Sequence, residues 1–233
     1  MKQRNYDEKT FDKTLCLYCE GSADSKEHVP SRIFLNKPYP ENLPTVPACK
    51  KCNESYSLDE EYLACIIECA RCGTIEVDKL ERDKIKKILN RKTALYEKVK
   101  DSFLTKDNNL FVNIEANRVN NILIKLAQGH ILYEFNQYVK DVSHINIMSF
   151  ADLSISEINY FNENEECTIA PDLGCRAMDE GFYVMCSDTT ANGITSWQYV
   201  GNESYRYLTY YDEGHRVKIV IAEFLACEVY FND

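Results

Sequence analysis

"CLYCEGSADSKEHVPSRIFLNKPYPENLPTVPACKKCN", residues 16–53, decides how the rest of the chain is read. The stretch has no long periodic apolar run and holds five of the chain's six prolines. Turn-rich sequence of this kind closes little core of its own and needs a staple. Its ends supply one: Cys16-x2-Cys19 and Cys49-x2-Cys52, with 29 residues between the pairs. Two tight turns, each presenting two thiolates, match the tetrahedral demand of one structural Zn2+, and such a closed site contributes folding free energy directly. The chain has eleven cysteines, an odd number. With no export signal read at the N-terminus (MKQRNYDEKTFDK), paired spacing of this kind points to metal rather than to disulfides.

Inside that frame stand Glu27-His28-Val29-Pro30, then Asn42-Leu43, and Asn53 directly after Cys52. Taken singly, each is bland: a Glu-His dipeptide is usually surface, and Asn beside Leu or Cys is usually a turn or cap. Taken together over about residues 14–65, the order resembles the HNH endonuclease family with its ββα-metal fold. The resemblance implies that Glu27 and Asn53 hold Mg2+ or another divalent ion, that His28 is the general base for the attacking water, and that Asn42 ties down the loop and helps hold the histidine. It implies that Pro30 ends the first strand. The sequence departs from the commoner pattern in two places, with Glu rather than Asp at position 27 and Tyr56 where many members carry Lys.

Charge divides the chain. The net charge is -10, made of +1 over residues 1–110 and -11 over residues 111–233. Residues 79–100 carry 9 basic and 3 acidic side chains, which reads equally as a phosphate-facing surface or as a solvated helix face. The acidic second half suggests a surface for a partner protein or a second protomer, or a brake on indiscriminate DNA binding by the free protein. No apolar run is long enough for a membrane span, so the expectation is a soluble, cytoplasmic protein without membrane partners.

Periodicity predicts a helix from Ser57 to about Ala70, starting as early as Lys51, with a Ser57/Glu60 capping box. One or two amphipathic helices follow over 77–103, with Leu80, Ile85, Ile88, Leu89, Leu95 and Val99 as the buried stripe. KDNN at 106–109 reads as a linker or turn. Residues 117–140 give the strongest helical pattern, with Gly129 tolerated at some cost. Beyond about 143, short aromatic and β-branched runs such as CTIAPDL, FYVMCS, YRYLTYY and VKIVIAEFLACEVYF predict an antiparallel sheet. The expected architecture is α+β: an HNH module over 1–75, a helical region over 76–142 and a β-rich region over 143–233.

Three functions fit these signals. The first is an HNH endonuclease acting on DNA, with structural Zn2+ and a catalytic divalent ion, in a setting such as restriction or anti-phage defence. The second is a zinc-stapled nucleic-acid or protein-binding module with a vestigial nuclease site. The third uses Cys65-x3-Cys69-x2-Cys72, which has the spacing of the cluster motif of radical SAM enzymes. Those cysteines fall on or just past a predicted helix, however, where Cys65 and Cys69 read as small buried residues. His130 reads as a satisfied core histidine, His144 and His215 as surface, and Trp197 with its neighbouring tyrosines as core or a protein interface.

Overall fold

The computed structural model describes residues 12–106, 109–163, 165–167, 183–185, 191–195, 197–201 and 204–232. The N-terminal segment 1–11 and most of CTIAPDL, together with the ends of FYVMCS, lie outside the described residues. The chain is a mixed α+β protein that divides into two compact units. One comprises the described residues through Asn53 and those from Leu123 onward; the other is Glu54–Ile122. The sequence texture drew its boundaries after residues 75 and 142. In the structure two helices, α1 (Lys50–Ser55) and α5 (Ala116–Phe135), run through the borders between units.

The first unit begins with a hairpin of β1 (Ser25–His28) and β2 (Thr45–Ala48), in which Glu27 pairs with Val46 and His28 with Thr45. Helix α1 follows at once, and Asp24 fixes its start by accepting a hydrogen bond from the Lys50 N–H at 2.7 Å. A carboxylate there satisfies an orphan donor and faces the positive end of the helix. Leu17, Val29, Val46 and Leu132 form a small apolar cluster under this hairpin, with Tyr18, Tyr133 and Tyr138 against it. The later residues of α5 belong to the same unit. At Gly129 the helix lies against Val29, the residue after β1: a Cβ added there would lie 2.9 Å from Val29 Cγ2. The glycine is a packing requirement, and that is the return for its poor helix propensity.

The opposite side of α5 meets an antiparallel sheet in the order β5-β12-β11-β10-β9. Its strands are β5 (Val142–Ser149), β9 (Gln198–Val200), β10 (Tyr205–Tyr211), β11 (His215–Ile221) and β12 (Leu225–Phe231). On the α5 face, His130 hydrogen-bonds the Tyr205 hydroxyl at 2.7 Å and stacks on Tyr207, whose hydroxyl donates to Glu134. On the other face α6 (Ile155–Phe161) lays Phe161 against Val220 and Ala226, with Trp197 beside them. Arg206 stacks over Trp197 and forms a two-point ion pair with Glu223. With both faces covered, β10 is buried along nearly its whole length. That is why its sequence, YRYLTYY, places large side chains on both faces rather than alternating apolar with small polar residues. A small three-stranded sheet combines β6 (Glu165–Cys167), β7 (Tyr183–Met185) and β8 (Ala191–Thr195) in the order β6-β8-β7.

The second unit packs α2 (Ser57–Arg71) with α3 (Asp83–Arg91), α4 (Thr93–Asp101) and a hairpin of β3 (Phe103–Lys106) and β4 (Asn109–Val112). Leu80, Ile85, Ile88, Leu89 and Val99 are buried as the stripe predicts, while Leu95 is half-buried. The buried Glu68 carboxylate accepts the Glu81 and Arg82 backbone N–H groups at 2.9 and 2.7 Å, fixing the chain just ahead of α3. Tyr62 is fully buried, bonds Ser102 through its hydroxyl and receives the Arg118 guanidinium over its ring. Part of the basic charge of 79–100 is spent within the unit, since Lys92 pairs with Glu61, Lys98 with Glu115 and Lys79 with Glu76.

Several expectations are corrected. The Ser57/Glu60 capping box does not form: Tyr56, which lies between α1 and α2, is the N-cap without a side-chain bond, and the Ser57 hydroxyl turns back to the Glu54 carbonyl. A genuine capping box sits at Ser154 and Glu157 ahead of α6, where no helix was read. Either side of the expected linker or turn, Lys106 and Asn109 pair as the ends of β3 and β4, and VKIVIAEFLACEVYF holds most of β11 and all of β12. His215 is buried and bonds Gln137, because the strand carrying it faces α5. His130 is a core histidine as expected, bonded through Nε2 to the Tyr205 hydroxyl, and His144 is exposed.

Candidate functional site

The two cysteine pairs come together. Cys16 and Cys19 ride a tight turn closed by Cys16 N–H to Gly21 O at 2.7 Å and Glu20 N–H to Cys16 O at 2.9 Å, with Glu20 in the left-handed region at φ 59°. Cys49 and Cys52 lie at the start of α1, where the Cys52 N–H points at Cys49 Sγ, 3.4 Å away. Leu17 N–H to Pro47 O ties the two knuckles side by side. All four Sγ atoms lie within 4.8 Å of one another, and Cys19 and Cys49 are 3.8 Å apart. Ligands about 2.3 Å from a tetrahedral Zn2+ sit about 3.8 Å from each other, so the thiol set fits the metal.

Electrostatics agree. Burial opposes ionisation of Cys16, but backbone N–H groups of Cys49, Cys19 and Tyr18 outweigh it and bring the thiol down to about 7. Cys52 is driven the other way, by burial and then by the crowding of Cys49, Cys19 and Cys16. Four thiols that cannot all ionise beside one another require a cation to do so. Among the described residues no other group of His, Cys, Asp or Glu gathers in this way. Cys65 and Cys69 are buried on α2, where burial pushes Cys69 up to about 12 and Cys65 higher still, as befits inert core thiols.

Beside the knuckles stands β1. Helix α1 carries Asn53 back to it: the Asn53 Nδ2 donates to the Lys26 carbonyl at 3.3 Å and reaches the Ser25 hydroxyl at 3.5 Å. With the amide nitrogen anchored on the strand next to Glu27, the amide oxygen is the atom left for a ligand. His28 is half-buried, its Nδ1 is shielded from solvent, and no described residue hydrogen-bonds that atom. Burial, then the nearby positive charge of Arg32, lower its pKa, while the Pro44 carbonyl works against them. The ring is thus held toward its neutral form. Asn42 lies exposed in the turn before β2 and makes no hydrogen bond to the described residues; the polar group beside the imidazole is the Pro44 carbonyl, two residues later.

Glu27 is 6% exposed, and the structure gives it a partner that no sequence signal announced. Lys125 of α5, 2% exposed, places Nζ 3.0 Å from Glu27 Oε1. Ser31 completes a triangle, donating to Glu27 Oε1 at 3.1 Å and accepting from Lys125 Nζ at 3.0 Å. The donor types, a carboxylate and an amide oxygen, suit a hard divalent cation, with Oε1 of that carboxylate already shared with an ammonium. Lys125, Ser31 and Arg32 are the site residues that reading the sequence missed. Lys125 lies 98 positions from Glu27 in an otherwise apolar helical stripe, where a lysine reads as solvent-facing.

No family model, curated protein or solved structure matches the chain. Among the described residues, no helix is long and apolar enough to cross a membrane.

Proposed function

We propose that the chain is a metal-dependent endonuclease of the HNH type that hydrolyses phosphodiester bonds, with DNA as its substrate. One arrangement carries this reading: within a four-thiol frame, a β1-β2-α1 unit returns Asn53 to the strand that ends in Glu27 and His28. His28 is the general base that takes a proton from the attacking water, a task suited to a neutral imidazole. Glu27 and Asn53 hold the divalent ion, Mg2+ or a similar one. That ion, when bound, supplies charge stabilisation for the phosphate and the leaving oxygen. Arg32, exposed and close enough to influence His28, gives the mouth of the site a positive charge for the backbone of the nucleic acid. The zinc site is structural and sets the spacing of the two strands and α1. Bacterial restriction or anti-phage defence is the setting the family resemblance suggests.

A second reading, a zinc-stapled binding module without catalysis, draws on the Lys125 pairing, since an internal cation already neutralises Glu27. Plasmid nicking separates the two. With Mg2+, Mn2+ or Ni2+, wild type converts supercoiled plasmid to nicked or linear forms and His28→Ala does not. Inert wild type with all three ions would leave the binding module as the better account.

A further inference from the structure

We infer that Lys125 is a positioning residue that shares Glu27 with the divalent ion and keeps the ion weakly held until a nucleic-acid phosphate joins it. The inference rests on the nuclease reading of Glu27 and Asn53. Its ground is the closed triangle of Lys125 Nζ, Glu27 Oε1 and Ser31 Oγ, with every edge between 3.0 and 3.1 Å and all three residues nearly sealed from water.

A buried ion pair is a poor device for stability alone, because an apolar pair of similar volume commonly does as well. This one lies at the residue preceding His28, and α5 is brought to it by the close Gly129 and Val29 approach. Charge accounting gives the consequence. Glu27 and Lys125 together are neutral, so a dication arriving at Glu27 meets an ammonium with no net negative charge to offset it. A phosphodiester brings that charge. Ion and nucleic acid therefore bind with positive coupling, each raising the affinity of the other by the same factor. The arrangement keeps the free protein largely without its catalytic ion and completes the site on substrate.

The test uses the full-length, zinc-loaded protein and Mn2+ alone as probe, with free Mn2+ followed by electron paramagnetic resonance. Lys125→Met and Lys125→Gln should each bind Mn2+ about tenfold more tightly than wild type, or better, since a unit charge a few ångström away is removed. Adding Glu27→Gln to either should abolish the gain. Lys125→Gln retains hydrogen-bond donors toward Glu27 and Ser31, so it carries the comparison should Lys125→Met fail to fold. A short DNA duplex should raise the Mn2+ affinity of His28→Ala more than that of His28→Ala/Lys125→Gln. Folded Lys125→Gln that binds Mn2+ no more tightly than wild type overturns the inference, even where nicking remains dependent on His28. A tenfold gain that depends on Glu27 supports it, even where no variant nicks plasmid and the nuclease reading falls.

Discussion

At the scale of single residues, His28 and Glu27 differ in what surrounds them. The His28 ring is half-buried with Nδ1 lacking a described partner, whereas Glu27 is enclosed by Lys125 and Ser31. Substitution of each should therefore read out differently. His28 is only half-buried, so the melting temperature of His28→Ala should stay close to wild type while nicking falls by about 10²- to 10⁴-fold, the usual contribution of a general base. Loss of fold in His28→Ala would mark the ring as structural. Lys125→Ala, by contrast, leaves Glu27 buried with its charge uncompensated and should cost about 3–5 kcal/mol in denaturant unfolding. A cost below about 1 kcal/mol would show that water reaches the carboxylate and that the pair is less enclosed than the geometry indicates.

At the scale of elements, helix α5 and the β11–β12 hairpin each contain a position where local preference yields to tertiary contact. Gly129→Ala would improve helix propensity by about 1 kcal/mol in isolation. Here the new Cβ meets Val29 at 2.9 Å, so the expected result is net destabilisation of about 1–3 kcal/mol by overpacking. A stabilised Gly129→Ala would mean that Val29 yields to the helix. In the hairpin, Ala222 and Glu223 turn the chain with φ of 57° and 47°, a conformation that Asn and Gly adopt more readily. Ala222→Asn should therefore stabilise the protein by about 0.5–1 kcal/mol in urea unfolding, while the Glu223 pairing with Arg206 stays in place. An unchanged or lowered midpoint would count against strain at this turn. The misplaced capping box teaches the same lesson. Ser57 follows a helix that runs almost up to it, so its hydroxyl finds a carbonyl, whereas Ser154 follows a turn and meets the free N–H groups that a cap requires.

At the scale of the molecule, the four-thiol knuckles and the C-terminal sheet belong to one compact unit. Residues of α5 join them: Leu132 and Gly129 serve the knuckle side, and His130 and Glu134 serve the sheet. Leu35 also packs against Gly201, and the Asn36 N–H reaches the Ser204 hydroxyl. Disruption of the four-thiol site should therefore spread. Cys16→Ser or Cys49→Ser should lower stability by on the order of 5 kcal/mol or more. Amides of Tyr205–Tyr211 should lose hydrogen-exchange protection along with those of β1 and β2. Sheet amides that stay protected while the knuckles open would instead show the two halves of this unit to be independent.

Local sequence specifies the four-cysteine frame, the order of acid, histidine and asparagine within it, the buried face of α5 and the antiparallel character of the C-terminal region. Each of these is written in local spacing: thiols two residues apart, apolar side chains at helical period, short β-branched runs between turns. Tertiary structure alone decided the rest. It covered both faces of β10, which hid the alternation a half-exposed strand would show, and it buried His215 against α5. It also placed Lys125 on Glu27. A contact between residues 98 positions apart leaves no mark in local periodicity, because it exists only once α5 has packed across β1.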